Sequence, residues 1–325
     1  MKLFWLEKHL AQWHAALAND HKPQAVIVNA PPGMGKHNLL QQILADLLCR
    51  VDQNGHCGTC QNCRLLAAGH HPDVDWVRPE KNLIKVKAIR ELTEFFTSTP
   101  HCSDYKVAII DQAESMNTAA ANALLKVLEE PPSRGLLFLV TESRHQLMPT
   151  IKSRCITLDV VLNAAEKQQL ADWLTAQTGQ DQAAVNDALI LTDWQPMTCQ
   201  SLLETGHLQQ FQQQLDVLVQ VLNEHISTAQ GAKSLNEGFT LNDWSMLQRH
   251  GLHLMKSQWQ AMSHEVFANH SLNQIIKNSP KVTHIIIKLN ELIQQFMLNF
   301  NTQIKPQLLL ESLLIEIKNE LNHGR

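Results

Sequence analysis

Gln24-Ala25-Val26-Ile27-Val28 leads through Asn29 into Ala30-Pro31-Pro32-Gly33-Met34-Gly35-Lys36-His37, and this junction decides the fold. A short apolar run feeds a glycine loop. Leu39-Leu40, Ile43-Leu44 and Leu47-Leu48 then recur at helical spacing. Strand, loop and helix in that order are the context of a phosphate loop, G-x-x-x-x-G-K-[ST]. Gly33 and Gly35 let backbone N–H groups approach a phosphate, and Lys36 supplies a point charge. Ala30, however, stands where the first glycine belongs, and His37 replaces the hydroxyl that would ligate Mg²⁺, a hard cation that prefers oxygen.

Two more apolar runs fit strands of the same sheet. Val107-Ala108-Ile109-Ile110 ends in Asp111, where a magnesium-linked carboxylate belongs, and Leu136-Leu137-Phe138-Leu139-Val140 ends in Thr141. Such continuous runs separated by helical segments predict a parallel sheet covered on both faces. Gln112 follows Asp111, so the usual activating glutamate is missing, and Glu114, three residues on, points elsewhere. Met116, Ala120, Ala123-Leu124 and Val127-Leu128 form one helical stripe that Pro131-Pro132 terminates. Nucleotide could be held weakly through Gly33, Gly35, Lys36 and Asp111; hydrolysis is not expected.

Beyond about residue 160, strand runs disappear. Leu208, Phe211, Leu215, Leu218-Val219, Leu222 and Ile226 lie on one amphipathic face, and Ile285 to Phe300 and Leu308 to Ile317 read as helices with broad apolar faces. The expected organisation is an α/β domain over residues 1–160 with a metal module at 49–63, a helical segment over 161–205, and an all-α segment over 206–325.

The chain has 325 residues, 44% hydrophobic and 18% charged, ample for two or three domains with cores. A net charge of −4 provides no bulk positive field to attract nucleic acid. Lys81, Lys85, Lys87 and Arg90 could form a local DNA-facing patch or simply a solvated helix face. The early charges of Met1-Lys2-Leu3-Phe4-Trp5-Leu6-Glu7-Lys8 do not read as a signal peptide, and no apolar run approaches a membrane span. The expected location is the cytoplasm, where the seven cysteines should be thiols.

Cys57-Gly58-Thr59-Cys60-Gln61-Asn62-Cys63 is a C-x2-C-x2-C cluster suited to structural zinc. Cys49 is the leading candidate for its fourth ligand, with His56, His70 and His71 as alternatives. An iron–sulfur reading is weakened by Ala67, where a further cysteine would be needed. The remaining reading is a metal-free loop of reduced thiols. A zinc-dependent nucleic-acid module is disfavoured by the acidic balance and by the lack of interleaved arginine and aromatic residues around the cluster.

Pro31-Pro32-Gly33-Met34-Gly35-Lys36, the cysteine cluster, His71-Pro72-Asp73, Lys106 to Asp111, Met116 to Pro132 and Thr150-Ile151-Lys152-Ser153-Arg154-Cys155 together form a specific pattern over the first half of the chain. With it the chain resembles the delta-prime subunits of bacterial DNA polymerase III clamp loaders, within the AAA+ class. That resemblance implies an α/β AAA+ domain with a zinc-binding insertion, a small helical lid and an all-α collar. It implies a heteropentamer with gamma/tau motor subunits and a delta subunit, acting on a sliding clamp and primed DNA, with no membrane. It further implies that Arg154 is a trans-acting arginine finger, positioned by Ser153 and Cys155, and that this chain is not an enzyme by itself. The alternative is an active clamp-loader-type ATPase with His37 in an unusual magnesium shell.

Overall fold

The computed structural model describes residues 3–18, 23–51, 55–238, 240, 243–250, 282–299 and 306–323. They belong to two compact units, Met1–Asn163 and Ala164–Arg325.

The first unit is built on a parallel sheet of β1 (Ala25–Asn29), β2 (Val74–Val77), β3 (Lys106–Ile110), β4 (Gly135–Thr141) and β5 (Ile156–Asp159). The strand order is β2-β3-β4-β1-β5, and every pairing is parallel. Three runs read as strands, β1, β3 and β4, occupy the middle and are almost wholly buried. The two edge strands were not legible as apolar runs. Val74-Asp75-Trp76-Val77 and Ile156-Thr157-Leu158-Asp159 are only partly buried, as edge strands that mix apolar and polar residues are.

Alternating side chains of the sheet serve its two faces. On one face, Ile27, Ala108, Ile110, Leu137 and Leu139 join Ile89 and Leu92 of α4 (Val86–Thr97) and Ala120, Leu124 and Val127 of α5 (Thr118–Glu129) in one core. On the other, Phe138 meets Trp13 of α1 (Glu7–Ala18), with ring centroids 5.3 Å apart. α2 (Lys36–Leu48) packs beside α1 and buries Leu39, Leu40, Ile43 and Leu44.

The Met116 stripe needs one adjustment. Asn117 caps α5 by accepting the Ala120 N–H at 2.8 Å, so Met116 precedes the helix and packs from outside it. Shorter helices α3 (Gln61–Ala67) and α6 (Pro149–Lys152) carry the cysteine module and the approach to Arg154.

Among the described residues the second unit is helical: α7 (Ala164–Thr178), α8 (Gln182–Leu191), α9 (Pro196–Glu204), α10 (His207–Leu222), α11 (Thr228–Gly238), α12 (Val282–Asn299) and α13 (Pro306–His323). The apolar face of α10 buries Leu208, Phe211, Leu215, Leu218 and Val219 as expected. Ile226 is not part of it, because α10 ends at Leu222 and Glu224 turns into a left-handed conformation at φ 61°. Phe300 lies outside the described residues. Leu292, Ile293 and Phe296 of α12 and Leu310, Leu313 and Leu314 of α13 are buried, whereas Ile287, Leu308 and Ile315 remain exposed. No helix of the described residues is long and apolar enough to cross a membrane.

Candidate functional site

β1 delivers the glycine loop at its C-terminal end. Gly33 and Gly35 have φ values of 70° and 82°, the left-handed region that glycine enters without a Cβ penalty. Lys36 opens α2 and is buried; its Nζ lies 2.8 Å from Glu142 Oε1 and 3.5 Å from the Ala30 carbonyl. His37 Nε2 lies 2.9 Å from Asp111 Oδ2. The imidazole therefore bonds the carboxylate that would face a magnesium ion. That hydrogen bond is the main reason the Asp111 carboxyl titrates below its usual range. His37 also stacks on Trp76, centroids 6.2 Å apart with the rings 21° from parallel.

Gln112 adopts φ 51°, an uncommon value for a residue with a Cβ, costing about 1–2 kcal/mol. This left-handed step turns the chain into a short 3-10 segment, Ala113–Ser115. Glu114 Oε1 accepts the Glu142 N–H at 3.2 Å. The residue expected to point elsewhere thus holds the backbone of the one that binds Lys36. Trp5 closes the loop from the amino-terminal side, donating its indole N–H to the Met34 carbonyl at 3.0 Å.

The sulfurs of Cys49, Cys57, Cys60 and Cys63 lie within 4.8 Å of one another. Cys49 follows α2, Cys60 caps α3, and Cys63 sits in the first turn of α3. Backbone N–H groups point at the sulfurs: Cys57 N to Cys49 Sγ at 3.4 Å, Cys60 N to Cys57 Sγ at 3.3 Å, Cys63 N to Cys60 Sγ at 3.5 Å. Such donors favour thiolates. Hydrogen bonds from Thr59 and Cys60 bring the Cys57 thiol down to about 6, while burial pushes Cys63 up to about 12. Four close sulfurs with N–H support suit a tetrahedral soft-ligand metal site.

The three histidines considered as ligands are placed elsewhere. His56 Nδ1 is 2.7 Å from Asp46, His70 is exposed, and His71 lies beside Asp73 and Cys102. This last trio is a structural knot. Asp73 accepts N–H bonds from His101, Cys102 and Ser103 and the Ser103 hydroxyl bond, leaving little for a cation. His71 Nδ1 accepts the Asp73 N–H at 3.2 Å, which keeps its proton on Nε2 and removes that nitrogen as a ligand. Asn62 ties the cysteine module to the same region, donating to the Leu48 carbonyl at 2.7 Å and the Cys102 carbonyl at 3.0 Å. Asn62 and Asp73 lie within quoted stretches but their roles carry no signal in the sequence, and Glu142 lies in no motif, because their partners are distant along the chain.

Arg154 lies at the other end of the sheet. It precedes β5, and it shares a cavity with Ala25, Gly135 and Ile156, the first residues of β1, β4 and β5. All strands run the same way, so the glycine loop and Asp111 lie past their opposite ends, roughly 16 Å off at ~3.3 Å per residue. Arg154 is exposed; it donates to the Thr150 carbonyl and pairs with Glu129, each at 2.9 Å. Ser153 bonds the same Thr150 carbonyl at 3.1 Å, and burial pushes the Cys155 thiol up to about 11. Lys81, Lys85, Lys87 and Arg90 are all exposed, and Lys87 pairs with Glu91 on its own helix, as on a solvated face.

Residues 5–163 match the family model described as DNA polymerase III, delta subunit. DNA polymerase III subunit delta' of Pseudomonas aeruginosa is 35% identical over 230 residues, 70% of each chain. Its counterpart from Escherichia coli is 34% identical over 209 residues, 63% of this chain and 62% of that one. The Bacillus subtilis protein of the same name is 35% identical over 143 residues, 44% of each. A solved DNA polymerase III gamma subunit-related protein from Thermotoga maritima aligns over 96% of this chain and 99% of its own, at 14% identity and a TM-score of 0.45.

Proposed function

The chain belongs to the DNA polymerase III delta' family, and from that premise we propose that it is the ATPase-silent member of a clamp-loader assembly, lending Arg154 to a neighbouring subunit's nucleotide. The observation that carries this reading is the position of Arg154 across the sheet from the chain's own glycine loop. A guanidinium there cannot serve the phosphate site of the same chain. Exposed beside an apolar cavity, it is free to reach a triphosphate held by another subunit, where it would stabilise charge developing during phosphoryl transfer. Its bond to Glu129 is an exposed ion pair, cheap to exchange for a phosphate.

In this reading the partners are gamma/tau motor subunits and a delta subunit, and the sliding clamp and primed DNA are met through the complex in the cytoplasm. Zinc bound by Cys49, Cys57, Cys60 and Cys63 would be structural, since four sulfurs leave no open position for catalysis. The chain beyond residue 160 would divide into a lid over 161–205 and a collar over 206–325, and exposed Ile287, Leu308 and Ile315 supply apolar surface for subunit contacts.

The rival reading, an active ATPase with His37 in its magnesium shell, is weakened by the His37–Asp111 bond and by Gln112 at the activating position. ATP turnover by the assembled complex, with and without Arg154→Ala, tests the proposal. Unchanged turnover would remove it.

A further inference from the structure

We infer that Glu142 and His37 are built-in substitutes for nucleotide phosphate and magnesium, and that they close this chain's own phosphate site to both. A phosphate loop holds a lysine for the phosphates and, at the end of another strand of the same sheet, a carboxylate for the metal. Here both groups already have partners from within the chain. The Glu142 carboxylate sits 2.8 Å from Lys36 Nζ, where a phosphate oxygen would bind. The His37 imidazole sits 2.9 Å from Asp111, on the carboxylate that would otherwise turn to the ion's shell.

Both pairs are built rather than incidental. The Lys36 side chain is only 10% exposed and that of Asp111 only 13%, so without its internal partner each would lie largely desolvated, with a single backbone contact left: the Ala30 carbonyl at 3.5 Å for Lys36 and the Gln112 N–H at 3.1 Å for Asp111. Glu142 is held in place by Glu114, which accepts its backbone N–H. His37 is held from the side by Trp76, over which Arg78 lies with its guanidinium carbon 5.1 Å from the ring centroid.

Entry of a nucleotide therefore requires several losses together. Glu142 must leave Lys36, and its freed carboxylate then repels the incoming phosphates. Without magnesium, Asp111 and Glu114 add to that repulsion. With magnesium, the imidazole must first be displaced from Asp111, and nitrogen is a poor substitute for the oxygen the ion prefers. The loop keeps its shape because its charges are already paired, so the fold is maintained while the site stays closed. This goes beyond the Arg154 reading and does not depend on it.

The test is calorimetric titration of the purified full chain with Mg·ATP and Mg·ADP. Wild type should show no saturable binding. The H37T/E142Q double variant should bind both, at least about tenfold more tightly than any residual wild-type affinity. It should still not hydrolyse ATP, because Gln112 remains at the activating position. E142Q alone should bind ADP more tightly than wild type with or without magnesium, which covers the case of a misfolded double variant. Comparable affinity in wild type would overturn the inference, as would a folded E142Q or double variant with no gain. Neither result bears on Arg154, which is read out in the assembled complex.

Discussion

Lys36 and Arg154 stand at opposite ends of one parallel sheet, the lysine past the C-terminal end of β1 and the arginine just ahead of β5. A single chain thus presents a phosphate-loop face and a cationic face that cannot meet.

Arg154→Ala should lower ATP turnover of the assembled complex by roughly 10³-fold, the scale of a trans-acting guanidinium in phosphoryl transfer. The isolated variant should melt with wild type, since only an exposed pair with Glu129 and an exposed bond to the Thr150 carbonyl are lost. Steady-state hydrolysis and a thermal melt read the two effects separately.

Metal analysis should find one zinc per chain. Removal by a chelator, or Cys60→Ser, should lower the melting temperature of the first unit. Cys63, held near 12 by burial, carries a proton at neutral pH, whereas Cys57, near 6, is already largely ionised. Zinc uptake should therefore release protons, visible with an indicator dye in weak buffer. Uptake without proton release would contradict thiolate ligation by Cys63.

Asp73 predicts a specific acid sensitivity. Burial works to raise its carboxyl, but hydrogen bonds from His101, Cys102 and Ser103 prevail and bring it down to about 2. A depressed native value stabilises above the unfolded value and is lost as pH falls through the native one, here between about 4 and 2. Asp73→Asn should cost on the order of 2 kcal/mol at pH 7. That difference should shrink towards pH 2 in denaturant titrations.

Gly135 begins β4 where a side chain has no room. A Cβ there would fall 2.2 Å from Pro132 Cγ and 3.1 Å from the Phe96 ring. Proline cannot swing aside, so Gly135→Ala should destabilise by about 1–3 kcal/mol. Because this clash lines the cavity that contains Arg154, the complex should also lose turnover. Gly231, whose Cβ would lie 2.2 Å from Val221 Cγ2, should show the stability loss alone.

The sequence alone determined whatever depends on neighbours along the chain. Apolar runs buried on both faces marked β1, β3 and β4, glycines marked the loop, and close spacing marked Cys57, Cys60 and Cys63. The edge strands β2 and β5 carry no such signal, because half-exposed strands mix apolar and charged residues. Tertiary structure decided the pairings. Lys36 meets Glu142 across 106 positions and His37 meets Asp111 across 74, because strand order in the sheet, not order in the chain, brings these loops together. Cys49 joins the cysteine cluster for a similar reason: α2 ends where α3 begins to fold back, while Asp46 and Asp73 engage the competing histidines. Which end of the sheet holds Arg154 is likewise a property of parallel pairing, since only the shared direction of the strands separates a cation from the loop of its own chain.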